Sequence, residues 1–177
     1  MILRAIAVLF LSLMAGAAIG QTMELYRGPP YNAPVPDQLR GAVTVDAAQA
    51  LDLHEQGVAF LDAFPRKTKP ENLPDGTIWR EPRHDTIPGA VWLYDTGYMR
   101  LSDAEQARLE NGLRQATGDD KAAPVVIFCR ADCWMSWNAA KRAVALGYTG
   151  VHWFPGGTDG WQAAGGADLV KAEPADP

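Results

Sequence analysis

The sequence predicts an α/β fold: a mostly parallel sheet with helices covering both faces. Three observations carry that expectation. Apolar runs at 58–61, 125–128 and 151–154 have the length of buried strands. Helix patterns with recognisable starts and stops lie between them. The links from 125 to 154 are short enough that strand, helix and strand must form a right-handed parallel crossover.

The chain opens with an apolar run in which Arg4 is the one charged residue, ending in small residues at Ala15, Gly16 and Ala17. Residues 1–20 therefore read as an export signal. Cleavage after Ala17 fits the small-x-small pattern, Ala18-Ile19-Gly20 offers a second site, and an uncleaved anchor is the alternative. No cysteine lies near either site, which excludes a lipid-modified Cys. The expected compartment is the periplasm.

Residues 21–42 carry Pro29, Pro30, Pro34 and Pro36 with few periodic apolar positions, the pattern of an extended arm that either ties onto the domain or stays loose. A domain is expected over 43–165. Val43 to Val45 begins it, Asp46 can cap a helix through about Gln56, and Gly57 stops that helix. Val58 to Leu61 reads as a buried strand ending at Asp62. Residues 63–86 are rich in Pro and charge and too long for a simple connection, so they are expected to be functional or poorly ordered. Ile87 to Leu93 turns tightly into another apolar stretch. Ser102-Asp103-Ala104-Glu105 is a capping box, opening a helix that Gly118 closes. Val125 to Phe128 is a strand after Pro124, a helix is expected from about Trp137 to Leu146 with Gly147 ending it, and Val151 to Phe154 is a further strand. Residues 166–177 read as a tail.

The formal charge is −5, or −6 once Arg4 leaves with the signal, and no basic stripe interrupts the acidic balance. A nucleic-acid or anionic-membrane partner is not expected on those terms. Beyond the leader no apolar run is long enough to span a bilayer.

Chemistry concentrates at the two cysteines, Cys129 and Cys133, in the string FCRADCW. Cys129 falls at the carboxyl end of a parallel strand, where ligands bind in open α/β sheets. Export would place both thiols in an oxidising compartment, so their redox state belongs to the functional question.

VAFLDA at 58–63, IPGAVWL at 87–93, VVIFC at 125–129 and FPGGTDGW at 154–161 follow one another as in a rhodanese-like domain, and the chain resembles that family over roughly Val43 to Trp161. The export signal with the Cys-x3-Cys-Trp string further resembles the exported PQQ-dependent catabolism-associated CXXCW motif proteins. The resemblance implies a three-layer α/β/α fold and a cysteine loop curled into a cradle of backbone N–H groups, with the next helix aimed at the sulfur of Cys129. Such a cradle stabilises a thiolate and then a persulfide. Arg130, Ala131, Asp132, Trp134, Met135 and Ser136 would line it, with Asp62 at its rim. The implied partner is a small sulfur donor or a periplasmic redox protein, and the implied setting is PQQ-dependent alcohol oxidation.

Several residues depart from the family pattern. Trp134 stands five positions after Cys129, where thiosulfate-using members carry a basic residue. Ala63-Phe64 occupy the place of an expected Arg, and the cysteine loop is about one residue longer than usual. Asp132 opposes thiolate formation while Arg130 favours it.

Cys133 opens further readings. Residues at i and i+4 can reach disulfide range when the loop bends. The pair could then be a redox switch, or Cys133 could resolve a persulfide on Cys129. It could also be a structural clip, although closing so small a loop gains little chain entropy. Alternatively, no cofactor being required, two thiolates could hold Cu(I), with His54, His84 or His152 as a third ligand. Ordinary roles are the competing reading for each histidine, for the packing tryptophans Trp79, Trp92, Trp137, Trp153 and Trp161, and for Arg66 and Arg83 as solvated loop charges. Gly156 and Gly157 are expected to serve backbone geometry. The leading expectation is sulfur transfer through Cys129 with Cys133 as its redox partner. A non-catalytic accessory that binds a redox cofactor or Cu(I) is the alternative.

Overall fold

The computed structural model describes residues 26–175. The expected signal at 1–20, the start of the arm and the last two residues lie outside the described residues. In chain order the elements are β1 (Val43–Thr44), α1 (Ala47–Glu55), β2 (Ala59–Asp62), β3 (Asp85–Thr86), β4 (Val91–Trp92), α2 (Asp103–Thr117), β5 (Val125–Phe128), α3 (Trp134–Ala145), β6 (Val151–Phe154), α4 (Gly157–Ala163) and β7 (Val170–Lys171).

Five strands form the central sheet in the order β1-β6-β5-β2-β4, and every pairing is parallel. All four residues of β5 are buried, as its central place requires. Alternate side chains serve opposite faces. Leu61, Val125, Ile127, Val151 and Trp153 pack with Leu109 and Leu113 of α2 and with Ala139, Ala140 and Ala143 of α3. Phe60, Val126, Phe128 and Phe154 pack with Ala50 of α1 and Trp161 of α4. Burial on both faces is what makes these strands read as unbroken apolar runs. Each large side chain so buried contributes roughly 1.5–3 kcal/mol.

Capping fixes the helices where the sequence expects them. Asp46 and Gln49 form a reciprocal box at α1, and Ser102 and Glu105 another at α2. Gly118 ends α2 in the left-handed conformation at φ 60°.

Three features differ from expectation. The third helix starts at Trp134 rather than about Trp137, because its N-terminus has no side-chain cap to mark it and takes its acceptor from the arm: the Trp134 N–H donates to the Tyr31 carbonyl at 2.8 Å. A fourth helix occupies the glycine-rich string after β6, where composition favours a turn. Residues 166–175 fold back onto the long insertion: β7 pairs antiparallel with β3, the Ala172 N–H donates to the His84 carbonyl, and the Ala175 N–H to the Trp92 carbonyl. The insertion is tied again by a bidentate Arg66–Glu81 pair at 2.6 and 2.9 Å and by the Arg66 amide on Asp95 at 2.9 Å. Among the described residues no helix is long and apolar enough to cross a membrane.

Candidate functional site

Strand β5 delivers Cys129 to the carboxyl edge of the sheet, and four residues later Cys133 takes the N-cap position of α3. The two are joined as a disulfide, with Cα atoms 6.2 Å apart. So short a reversal needs a left-handed residue, which Asp132 supplies at φ 53°, a conformation that Asp tolerates better than most. A second condition comes from α4. Gly157, at φ 52°, lies against the backbone of Cys129 and Arg130, and the Thr158 N–H donates to the Cys129 carbonyl at 3.0 Å.

The disulfide is covered. Cys129 is 1% exposed and Cys133 5%, and Met135 is buried beside them. Three half-buried aromatic rings pack on this cluster, each from a different segment: Tyr31 from the arm, Phe64 from the insertion and Tyr98 from the link between β4 and α2. Tyr31 and Tyr98 meet edge to face at 5.4 Å.

Two backbone donors expected to hold a sulfur have other acceptors. The Ala131 N–H donates to the Asp159 carboxylate at 2.8 Å, and the Trp134 N–H, at the positive end of α3, donates to Tyr31. In this oxidised form the loop is therefore a disulfide bridge with satisfied amides rather than an open cradle.

Arg130 and Trp134 both serve the arm. Arg130 donates to Asn32 at 2.7 Å, and the Trp134 indole donates to the Pro34 carbonyl at 3.1 Å. The Ala33 N–H donates to the Asp132 carbonyl at 2.9 Å, so that Asn32 pairs antiparallel with Cys133. Outside this pairing lies an open depression of about 380 Å³, lined by Asn32, Ala33, Pro34, Arg130, Ala131, Asp132 and Asp159. Ser136 is buried: its hydroxyl donates to the Cys133 carbonyl and accepts from the Trp153 indole, both at 3.1 Å.

Asp62 lies at the end of β2, level with Phe128 of β5, and is fully buried rather than on a pocket rim. One carboxylate oxygen accepts from the Phe64 amide at 2.8 Å, and the other takes His84 at 2.7 Å and the Thr86 hydroxyl at 2.6 Å. His84 stacks flat on Phe64 at 4.4 Å. The other histidines are engaged away from the cysteines, His54 on the Pro88 carbonyl and His152 on the Gly150 carbonyl. Among the described residues no three of His, Cys, Asp and Glu stand together as a metal site. Arg66 pairs with Glu81 and Arg83 with Asp85.

Tyr98 is fixed from two sides. Its carbonyl accepts from Arg142 at 2.6 Å, and burial, then the nearby Asp95 carboxylate, pushes its phenol up to about 12. Burial also pushes the Asp95 carboxyl above its ordinary range.

Sequence reasoning missed Tyr31, Phe64, Tyr98, Asn138 and Asp159. Asn138 is buried and binds both the N–H and the carbonyl of Arg27, at 2.9 Å each, together with the Gly97 carbonyl at 2.7 Å. An amide next to the paired alanines Ala139 and Ala140 of α3 was its one visible signal. Asp159 follows the GG turn closely enough to have been flagged, whereas nothing in the aperiodic arm marks Tyr31.

A search of curated proteins found no match. The family model for the rhodanese-like domain matches residues 44–164.

Proposed function

Because this chain belongs to the rhodanese-like domain family, we propose that it is an exported sulfur-handling thiol protein in which Cys129 carries a persulfide and Cys133 resolves it. The reaction begins with both cysteines reduced. The Cys129 thiolate attacks the outer sulfur of a sulfane donor R–S–SH, forming the Cys129 persulfide and releasing R–S⁻. The Cys133 thiolate then attacks the inner sulfur, displacing HS⁻ and closing the Cys129–Cys133 disulfide. Two thiols are thereby oxidised as the sulfane sulfur is reduced to sulfide. A dithiol partner reopens the bridge and leaves as its own disulfide.

One observation carries this reading: the two sulfurs are bonded at the carboxyl end of the central strand, where the fold places its ligands. Export follows from the leader, and a periplasmic role accessory to PQQ-dependent alcohol oxidation follows from the resemblance of the Cys-x3-Cys-Trp string. A dithiol switch with no sulfur cargo is the second reading. It is favoured by the Ala131 amide being taken up by Asp159 and by Trp134 standing where an anion clamp would sit.

Intact-mass analysis after loading reduced protein with a sulfane donor separates the two. On the persulfide reading, Cys133→Ser retains one added sulfur on Cys129, while the unaltered chain ends as the disulfide with sulfide in solution. Absence of added sulfur in Cys133→Ser and of sulfide from the unaltered chain leaves the switch.

A further inference from the structure

We propose that the arm is a strap controlling access to the Cys129–Cys133 disulfide, and that a reducing dithiol reaches the sulfurs only when residues 31–34 lift. The inference rests on the redox reading of the pair but not on its carrying sulfur.

The three rings packed on the Cys129, Cys133 and Met135 cluster are not held alike. Phe64 is clamped by His84, which is itself bound to the fully buried Asp62, and the Trp92 indole donates to the Phe64 carbonyl at 2.7 Å. Tyr98 is held at its carbonyl by Arg142, a largely buried residue of α3. Tyr31 rests on a lighter tie at the surface: its hydroxyl accepts from the exposed Met99 N–H at 3.0 Å, and its ring meets Tyr98 edge to face. Its neighbours Pro29, Pro30, Asn32 and Pro34 are exposed, and beyond the Tyr31 hydroxyl the segment is attached by the two backbone bonds to Asp132 and Trp134 and by the Arg130–Asn32 and Trp134–Pro34 contacts at its edge. Segments with few buried contacts and solvent-exposed hydrogen bonds open at the lowest cost. Of the three covers, the segment 31–34, between the Arg27–Asn138 anchor and the buried Leu39, is the one that can leave while the domain stays folded.

Lifting has a second consequence. The carbonyl of Tyr31 accepts from the Trp134 N–H, a first-turn donor at the positive end of α3 that has no acceptor within the helix. Once that carbonyl departs, the donor and the helix dipole face the cysteine loop unopposed and favour a thiolate there. The same motion thus uncovers the disulfide and stabilises its reduced product. A partner thiolate attacks the less buried Cys133 sulfur, Cys129 leaves as a thiolate, and the partner's second thiol displaces Cys133, so two electrons and two protons pass from the partner to the pair.

The test uses the full chain. Ala33→Pro deletes the N–H that donates to Asp132 and leaves the domain core untouched; Tyr31→Ala removes the ring. Reduction by excess dithiothreitol is followed by thiol trapping, together with hydrogen exchange at the Trp134 amide. Loss of one such hydrogen bond corresponds to about fivefold, so Ala33→Pro is expected to speed reduction about fivefold. The double variant is expected to reach about twentyfold, each with matching loss of Trp134 protection. Reduction within twofold of the unaltered chain, with Trp134 newly exposed to exchange, overturns the proposal because the sulfurs are then reached by another route. A Trp134 amide already unprotected in the unaltered chain overturns it as well, since the strap is then not closed. Sulfur loading of Cys133→Ser is a separate measurement, so either reading can fail without the other.

Discussion

Gly157→Ala probes the contact on which the cysteine loop is built. Gly157 sits at φ 52°, and a Cβ placed there would lie 2.5 Å from the Cys129 carbonyl oxygen, 2.6 Å from the Arg130 Cα and 2.7 Å from the Arg130 carbonyl carbon. All three are backbone atoms, so no rotamer change relieves the overlap. The left-handed conformation alone costs a non-glycine residue about 1–2 kcal/mol. Forcing a methyl group into a closed contact adds about 1–3 kcal/mol. Gly118→Ala is the matched control: it has φ 60° but no heavy atom within 4 Å of the added Cβ. Urea unfolding of the oxidised proteins, compared at equal slope, is expected to show a loss of about 1–2 kcal/mol for Gly118→Ala. Gly157→Ala is expected to lose about 2–5 kcal/mol. Equal losses for the two variants would refute the close approach of α4 to the cysteine loop.

Other perturbations have defined outcomes. His84→Ala leaves the buried Asp62 carboxylate short of a partner and removes the ring under Phe64, with an expected loss of about 2–4 kcal/mol by urea unfolding; an unchanged midpoint would contradict the clamp. Ser136→Ala strands the buried Trp153 indole N–H and should cost about 1–3 kcal/mol in the same assay. For Asp95 the sign follows from burial. Its carboxyl lies above the ordinary 3.8 in the folded chain, which therefore binds the proton longer than the unfolded chain does. The contribution of Asp95 to stability thus falls as pH rises from near 3.8 through the raised value. Asp95→Asn, which can keep the left-handed backbone at φ 65°, should flatten that part of the stability–pH curve. A curve with undiminished slope would show that another group titrates there.

The layers of the fold were legible because β2, β5 and β6 are buried on both faces and because α1 and α2 carry complete capping boxes. Helix α3 was read as starting late for the opposite reason: its cap is a carbonyl about a hundred residues away in sequence, invisible to any local pattern. Cys129 was legible as the residue after a central strand, and the four-residue spacing to Cys133 made a bridge conceivable. What covers the bridge was not legible. Tyr31, Phe64 and Tyr98 come from segments without periodicity, and they converge only through tertiary ties such as Asp62–His84 and Arg142–Tyr98. Asp62 was placed correctly at a strand end, but its neighbours in the insertion turn a supposed rim residue into a buried anchor.

The reduction potential of the Cys129–Cys133 pair decides whether the bridge works or merely staples the loop. Equilibrating the full chain with dithiol couples of known potential, then trapping and weighing the thiols, gives the midpoint directly. A resolving pair that a dithiol partner must reopen titrates reversibly above roughly −300 mV. A midpoint well below that value is the behaviour of a structural disulfide and contradicts a redox role for Cys133.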